Sequence, residues 1–590
     1  MKLLPKLQLL AVPGSALSLQ HPFLSEPNDA SEISSPYIRD VRVGQLNFLH
    51  TTDTHGWLGS HLLQPDYDAD WGDFVSFAAD FKRNRLDETQ DLLLIDTGDK
   101  HDGNGLSDAT TPNGFETTRI FNEQDYDLMT LGNHELYLPE NSVLEYSTAT
   151  SAKFKDKYVS SNVEFINDTG DPVPFGNKYR YFETQNSKIR VLAFSFMFNF
   201  RRFNNRTNVV PPMEEVSKNW FKEVTKKYSE GKVDLILVFG HMPVTDLEDF
   251  EMVKLHHYLR NIYPDTVIQY FGGHSHIRDY AILDEKATAL QSGRFAETLG
   301  FLSIDNVTYE NPRFFRRYID FSKRSFKHHS KVNKQEIGST KGREISERIK
   351  HLRKKLNLDE VIGYVPQNYY MSARPLQSED NIYHLITHKI LPRLKSHHTN
   401  TSIGRYIMIN TGAVRYDLFK GPFTLDSEYI VLPFANDWKY LELPNRIASK
   451  VEAYLNKGPA IASLAPPHTA APYVANSLAV CPIIRDPALT EGYTTADDGG
   501  CKGDDIKHRS QIQYHIPNVV QNVELKSTGP DDVVHFIFYS FLQRNVLQAV
   551  NKIASDEGNQ NLRYDESSCE HYGGSSTKVL LREYIKEISR

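Results

Sequence analysis

Residues 92–101 read Leu-Leu-Leu-Ile-Asp-Thr-Gly-Asp-Lys-His, and this stretch decides the fold. Its first five residues form a short, largely apolar run, which is typical of a strand covered on both faces. Gly98 then allows a tight turn, which places Asp99 just beyond the end of the strand. In α/β sheets, ligand sites form in the crevice beyond the carboxyl ends of the strands. The stretch therefore predicts an α/β protein with a polar site at one sheet edge.

The same pattern recurs between Val43 and Thr308. Five more apolar runs are predicted as strands: Leu46–His50, Leu128–Leu131, Ile189–Phe194, Leu235–Phe239 and Val267–Phe271. Most of the six strands lead directly into polar clusters: Asp53-Thr54-His55, Gly98-Asp99, Gly132-Asn133-His134, Gly240-His241 and Gly273-His274-Ser275-His276. Because these clusters share one topological position, we expect their side chains to converge in space.

These clusters together supply seven metal-ligand side chains. The donors are Asp53, His55, Asp99, Asn133, His241, His274 and His276. Residues two apart on an extended strand face the same way, so Asp53 and His55 can reach one ion. The mixture of imidazole and carboxylate suits Zn, Mn, Fe or Co rather than Ca, and zinc is favoured. Seven donors over two divalent ions, with Asp99 shared, leave open positions for water and substrate.

The ordered motifs resemble those of a known enzyme family. The stretches Thr51–Gly56, Asp96–Asp99, Leu131–Glu135, Gly240–Pro243 and Gly272–His276 are similar to the calcineurin-like metallophosphoesterases, and more narrowly to 5'-nucleotidases of a secreted or vacuolar type. The resemblance implies a four-layer α-β-β-α sandwich followed by a second α+β domain. It also implies that Asp53, His55, Asp99 and His276 hold one metal, and that Asp99, Asn133, His241 and His274 hold the other.

The resemblance makes His134 the catalytic histidine beside the metals; a hydrogen-bonding role around the metal ligands is the alternative. The family usually continues with an aspartate that orients this histidine, but here Tyr137 stands at that position. A phenol can hydrogen-bond the imidazole yet holds its protonated form less strongly. The adjacent Lys100, His101 and Asp102 either line the pocket or are solvated loop residues.

Two motifs near the C-terminus resemble the substrate-binding stretches of the 5'-nucleotidase C-terminal domain. Asn410 and Arg415 belong to Asn-Thr-Gly-Ala-Val-Arg, and Phe434 belongs to Leu-Pro-Phe-Ala-Asn. The resemblance implies that Arg415 contacts the substrate phosphate and that Phe434 stacks on the base. Alternatively, Arg415 pairs with Asp417 and Phe434 is ordinary core. For a second stacking aromatic ring, Tyr572 is a loose candidate.

Four regions are expected along the chain. They are a signal peptide over 1–19, the metallophosphoesterase domain over 43–320, a linker over 321–356 and a substrate-binding domain over 357–590. In the linker, Gly342–Leu356 is predicted as an exposed connecting helix, and His328 and His329 as solvated. Two stretches, 459–471 and 494–504, are predicted as long surface loops. The clearest buried segment of the second domain is Tyr406–Asn410.

Composition bears on partners and compartment. The formal charge is −8 with no basic stripe, so binding to a nucleic acid polymer is not expected. Beyond the N-terminal segment, no apolar stretch reaches the length of a membrane-spanning helix. The sequons begin at Asn167, Asn205, Asn306 and Asn400. Among the three cysteines a Cys481–Cys501 disulfide is favoured, with three reduced thiols as the alternative. We expect the secretory pathway, with an extracellular or vacuole-lumen destination; the oligomeric state stays open.

The predicted function is hydrolysis of phosphate monoesters, above all nucleoside 5'-monophosphates such as AMP. Attack would come from a hydroxide that bridges the two metals. One alternative is a phosphodiesterase or sugar-phosphatase on the same centre. Another is a non-catalytic binding protein that kept the fold.

Overall fold

The computed structural model describes residues 38–246, 249–309, 311–332, 338–395, 403–458, 461, 503–506, 514–526, 529–558 and 562–590. Five features predicted from the sequence lie outside these residues. They are the signal peptide, the Asn400 sequon, the Cys481–Cys501 disulfide and almost all of the two loops over 459–471 and 494–504.

The N-terminal half contains two large sheets. Its strands are β1 (Leu46–Thr51), β2 (Asp91–Asp96), β3 (Leu128–Met129), β4 (Val163–Ile166), β5 (Pro172–Pro174), β6 (Arg180–Glu183), β7 (Arg190–Ser195), β8 (Thr207–Val209), β9 (Leu235–Phe239), β10 (Val267–Gly272), β11 (Arg278–Asp284), β12 (Ala287–Ser292), β13 (Thr298–Asp305) and β14 (Arg313–Asp320). The first sheet has the order β14-β13-β1-β2-β3 and the second β11-β12-β10-β9-β7-β6. Strands β5, β4 and β8 form a small third sheet.

Nine helices accompany these strands in the described part of the N-terminal half. They are α1 (Trp71–Arg85), α2 (Gly105–Asp108), α3 (Thr117–Phe121), α4 (Pro139–Ala149), α5 (Pro212–Glu215), α6 (Asn219–Lys227), α7 (Glu251–Ile262), α8 (Lys323–Ser330) and α9 (Thr340–Lys355). Side chains such as Phe48 and Leu237 form a shared core between the two large sheets. Helices α1, α8 and α9 cover the first sheet, and α6 and α7 cover the second. The predicted four-layer α-β-β-α sandwich is confirmed.

Parallel pairing brings the strand ends together. Strands β1, β2 and β3 run parallel, as do β7, β9, β10 and β12. All six predicted strands exist, although β3 is shorter than the predicted Leu128–Leu131. It ends early because the following chain turns against the loop after β2: a Cβ at Gly98 would lie 2.1 Å from the backbone nitrogen of Gly132.

Helix α9 differs from the expected exposed connector. Its residues Ile345, Ile349 and Leu352 are buried in the same core as α1, and only its opposite face is charged and exposed. The many charges in Gly342–Leu356 obscured this apolar stripe of period 3.6. The helix is therefore an integral part of the outer layer of the sandwich.

The C-terminal unit, from β15 onward, is built on a mixed five-stranded sheet. Its strands are β15 (Val361–Val365), β16 (Gly404–Asn410), β17 (Gly421–Thr424), β18 (Trp438–Pro444), β19 (Val519–Glu524), β20 (Val533–Tyr539) and β21 (Glu570–His571), and its helices are α10 (Ile382–Leu385), α11 (Leu425–Val431), α12 (Asn445–Lys457), α13 (Gln543–Asp556) and α14 (Thr577–Ile588). The sheet order is β19-β16-β20-β18-β21, and β15 pairs with β17. Alternate residues of β16 face two cores, one lined by α10 and α14 and the other by α12 and α13.

A buried group of charges, here called the Arg278 clasp, ties residues 503–506 to the sandwich. Arg278 lies 2.8 Å from Asp504 and 3.0 Å from Asp320, and the side chains of all three are at most 2% exposed. His329 contacts Asp505 at 2.9 Å. The prediction of a solvated His329 was therefore wrong, because its acidic partner lies 176 residues away in the chain. His328 is half-buried and contacts Asp40.

Candidate metal centre

The ligand side chains are carried by strand-end loops with unusual backbone conformations. Asp53, His55 and Asp99 have φ values of 49°, 46° and 60°, and His274 and His276 have 79° and 63°. Residues other than glycine rarely adopt this left-handed region, and each such residue costs about 1–3 kcal/mol. Strain of this kind persists where the surrounding structure holds it in place for function. Its concentration in five predicted ligands marks these loops as the functional site.

The four side chains expected for the first metal form one buried cluster. One donor atom from each of Asp53, His55, Asp99 and His276 lies within 4.8 Å of the others. His276 Nε2 is 3.2 Å from Asp53 Oδ1, and His55 Nε2 is 3.7 Å from Asp99 Oδ2. The two histidine Nε2 atoms are 3.1 Å apart. These spacings would allow all four groups to face a single ion.

The remaining predicted donors include a histidine that also contacts Asp99. His241 Nε2 lies 3.0 Å from Asp99 Oδ2, and the rings of His241 and His274 are 5.4 Å apart. Asn133 is buried, and its Oδ1 atom has no hydrogen-bond partner among the described residues. Asp99 Oδ2 thus faces one donor of each predicted group, His55 and His241, as a shared ligand would.

Hydrogen bonds orient two of the histidines for ligation. His55 Nδ1 lies 2.7 Å from the carbonyl oxygen of His101, and His241 Nδ1 lies 2.9 Å from that of Thr97. Metal-binding histidines commonly donate their second ring N–H in this way, which leaves Nε2 free for the ion. His241 Nε2 makes no well-aligned hydrogen bond within the described part of the chain, although Asp99 Oδ2 lies 3.0 Å away. The buried Asn133 Oδ1, which has no hydrogen-bond partner there, and His241 Nε2 fit a bound cation.

The electrostatics fit the same interpretation. Burial lowers the pKa of His55 and His276 well below the ordinary value and that of His274 to about 4, which keeps these imidazoles neutral. For His241, burial is outweighed by the carboxylates of Asp99 and Asp53, which raise its pKa to about 10. A metal would take the place of that proton, because a ligating imidazole must be neutral.

Glu135 positions the Asp99 loop and was not predicted as a site residue. Its carboxylate accepts hydrogen bonds from the backbone nitrogens of Asp99, Lys100 and Gly132 at 2.7–3.0 Å. It is 1% exposed. The Asn-His-Glu motif contains this glutamate, but the motif alone does not show which backbone groups its carboxylate would bind.

His134 has an acidic partner that the sequence did not reveal. Its Nδ1 lies 2.8 Å from Asp102 Oδ2, and its Nε2 lies 3.9 Å from Asp99 Oδ2. Burial opposes ionisation of Asp102, but His101 and His134 hold the pKa of its carboxyl well below its ordinary value. Tyr137 instead accepts a hydrogen bond from Asn133 Nδ2 at 3.2 Å, and its ring meets His134 edge-on. The hydrogen bond expected between the Tyr137 hydroxyl and the His134 imidazole is thus replaced by the contact between Asp102 and that imidazole.

The three residues after Asp99 are all buried, so they are not solvated loop residues. Lys100 points away from the donors, and its Nζ contacts Glu145 and the carbonyl oxygen of Thr130. His101 Nδ1 lies 3.1 Å from Asp102 Oδ1.

The C-terminal unit contributes side chains to the same region. Arg415 is buried, and its Nη2 lies 3.2 Å from His55 Nε2, whereas Asp417 accepts a hydrogen bond from the backbone of Met371. Phe434 is half-buried rather than core, with its ring centroid 6.2 Å from that of His134.

Of the other two predicted residues of the C-terminal unit, Asn410 has a polar atom available for substrate, whereas Tyr572 is part of the hydrophobic core. Asn410 ends β16, and its buried Oδ1 has no hydrogen-bond partner among the described residues. Tyr572 lies in the core with Tyr440 and does not serve as a second stacking ring.

This layered fold and this cluster of strand-end donors define a calcineurin-like metallophosphoesterase. Residues 46–278 match the family model for calcineurin-like phosphoesterases, and residues 368–547 match that for the C-terminal domain of NAD nucleotidase. A 5'-nucleotidase structure from Candida albicans is 43% identical, with a TM-score of 0.83 over 94% of this chain and 100% of that chain.

Two fungal relatives also align along most of the chain. An uncharacterized protein of Saccharomyces cerevisiae is 56% identical over 93% of this chain and 94% of its own length. A protein of Arthroderma benhamiae, described as secreted, is 35% identical over 92% of this chain and 90% of its own length. The chain belongs to the 5'-nucleotidase family of calcineurin-like phosphoesterases and is a metal-dependent phosphoesterase.

Proposed function

We propose that the protein hydrolyses nucleoside 5'-monophosphates such as AMP at a centre that holds two divalent metal ions. The observation that carries this proposal is the position of Arg415. A guanidinium from the C-terminal unit is buried against His55, and its Nε atom has no hydrogen-bond partner among the described residues. A buried cation needs a compensating anion. A phosphate between Arg415 and the metals would supply that charge.

The proposed arrangement assigns one group of ligands to each ion. Asp53, His55, Asp99 and His276 would hold one, and Asp99, Asn133, His241 and His274 the other. Zinc suits these ligands best, with manganese, iron or cobalt as alternatives. Two such ions would activate water for attack on phosphorus and offset charge on the phosphoryl oxygens.

The chain's own residues would handle the substrate. Arg415 would bind phosphate oxygens through its planar fork. His134 Nε2, beside Asp99, could donate a hydrogen bond to the phosphoryl group or a proton to the leaving oxygen. The exposed part of Phe434 offers a face for the base, and its ring centroid lies 5.7 Å from the Arg415 guanidinium carbon. Asn410, at the end of β16, would assist binding with its free amide oxygen.

We also propose that the protein enters the secretory pathway. The apolar N-terminal segment and the secreted description of the Arthroderma relative support this proposal. None of the helices in the described ranges has the length and apolar content needed to cross a bilayer. Processing at the N-terminus, measured by mass spectrometry of the exported protein, would test the proposal; an intact Met1 would contradict it.

The substrate proposal is tested by phosphate release from AMP, a nucleotide diester and sugar phosphates, with and without chelator. We expect AMP to give the highest kcat/KM and the chelator to abolish release. Arg415→Gln should lower kcat/KM at least tenfold, and Arg393→Gln, at a partly exposed ion pair with Glu587, should leave it unchanged. A higher kcat/KM for the diester or the sugar phosphates would contradict the substrate assignment.

A further inference from the structure

The His134 imidazole contacts an aspartate that lies outside the motif containing His134. Its Nδ1 faces Asp102 Oδ2 at 2.8 Å, and both residues are buried. A carboxylate that accepts a hydrogen bond from Nδ1–H keeps the proton on that nitrogen and leaves Nε2 directed toward Asp99. Asp102 therefore makes the contact that an orienting aspartate would make.

Asp102 is itself held by several groups. Asn113 Nδ2 donates to Asp102 Oδ1 at 2.6 Å, and the backbone nitrogen of Asp102 donates to Asp108 Oδ1 at 2.9 Å. His101 Nδ1 lies 3.1 Å from the same carboxylate. The backbone of Asp102 is left-handed, with φ 70°. A strained residue with this many contacts is built to hold one side-chain orientation.

At the position where the family usually has the orienting aspartate, Tyr137 makes other contacts. The Tyr137 ring lies 5.1 Å from that of His134 and 5.4 Å from that of Phe200, both edge-on. Its hydroxyl is engaged by Asn133 Nδ2. The presence of Tyr137 at this position therefore does not leave His134 without a carboxylate partner, because Asp102 supplies one from a different loop.

We propose that Asp102 is the positioning residue for His134, so that the loop following β2 supplies both the shared ligand Asp99 and the orienting carboxylate. This inference rests on the proposed function, because His134 must act on the substrate. In this role Asp102 would act through His134 and would not contact the substrate. Its loss should lower kcat by about the full contribution of general acid–base catalysis, 10²- to 10⁴-fold.

A double-mutant cycle tests this role. Asp102→Asn and His134→Ala should each lower kcat for AMP, and the double variant should resemble His134→Ala within about threefold, because residues that act as one unit are not additive. KM and bound metal should stay near wild type in Asp102→Asn. A double variant whose losses multiply would overturn the proposal, as would Asp102→Asn with wild-type kcat.

Two further variants keep the test decisive. Asn113→Ala removes a hydrogen-bond donor to Asp102 without changing any residue of the loop that carries Asp102. The substitution should lower kcat a few-fold in the wild type. It should have no effect on kcat in the His134→Ala background. A persisting effect there would contradict the proposal. Asp284→Asn is the matched control, since Asp284 pairs with His256 at 3.0 Å outside the metal centre. Its kcat should stay unchanged. Full activity of His134→Ala would instead reject the role of His134 in the proposed function.

Discussion

The Arg278 clasp and the metal centre are both buried clusters of charged side chains, but only one is complete within the chain. In the clasp, Arg278 faces Asp320 and Asp504, and His329 faces Asp505. In the metal centre, Asn133 Oδ1 and Arg415 Nε have no hydrogen-bond partner in the described ranges. Buried charge in the clasp is balanced by charge from the protein, whereas the centre needs ligands from outside.

This difference predicts different consequences of mutation. Removing a partner from the clasp leaves an uncompensated buried charge and should lower stability. Removing a donor from the centre weakens ligand binding directly, so activity should fall far more than stability. The following variants test that separation.

Asp99→Asn should cause the largest loss. Because Asp99 contacts both His55 and His241 and is proposed to bind both ions, its substitution should weaken both metals at once. We expect kcat/KM for AMP to fall at least about 10³-fold, or 4 kcal/mol of transition-state stabilisation. In chelator, its thermal midpoint should lie below that of the wild type treated in the same way, because the amide no longer pairs with His241. Substantial residual turnover would contradict a shared ligand.

Arg278→Met should mainly affect folding. Breaking a buried ion pair from one side costs about 3–5 kcal/mol, measured by denaturant unfolding. The kcat of the folded fraction should stay within twofold of wild type. Arg190→Met, at a pair with Asp234 that is partly exposed, is the matched control and should cost about 1 kcal/mol or less. Equal losses from both variants would remove the distinction between the clasp and an ordinary surface pair.

Metal removal should destabilise the wild type more than Asp99→Asn. A ligand that binds only the folded state stabilises it by about 2.7 kcal/mol at a concentration one hundred times its Kd. Chelator should therefore lower the thermal midpoint of the wild type and leave Asp99→Asn nearly unchanged. An identical shift in both proteins would indicate that the ions bind elsewhere.

Phe434→Ala should have the smallest effect on catalysis. Loss of base stacking costs about 1–3 kcal/mol of binding free energy. We expect this loss to appear mainly as a higher KM for AMP. Hydrolysis of a phosphate ester without a base should change little, which serves as the internal control. A similar loss on both substrates would assign Phe434 a structural role beside His134.

The donors of the metal centre could be predicted because each is encoded locally. A short apolar run followed by Gly-Asp or Gly-His specifies both the strand and the polar residue beyond it, as for β9 and His241. Parallel pairing then brings these ends together without further information. Short apolar runs account for the layered fold, and all seven predicted donors lie in the loops that follow them, three of them (Asp99, His241 and His274) in a Gly-Asp or Gly-His pair of this kind.

The remaining features depend on contacts between distant segments. Asp102 reaches His134 across 32 positions, and His329 reaches Asp505 across 176. No local pattern distinguishes such an aspartate from a solvated one. Helix α9 was expected to be exposed because its charges outnumber Ile345, Ile349 and Leu352, which supply its buried stripe. Contacts between residues that are far apart in the chain therefore cannot be predicted from local sequence patterns.

The most direct test of the central claim is the metal content of the purified wild-type protein, measured by elemental mass spectrometry. Two groups of donors that share Asp99 predict about two divalent ions per chain. A protein that retains no transition metal after supplementation with zinc, manganese, iron and cobalt in turn would contradict the account.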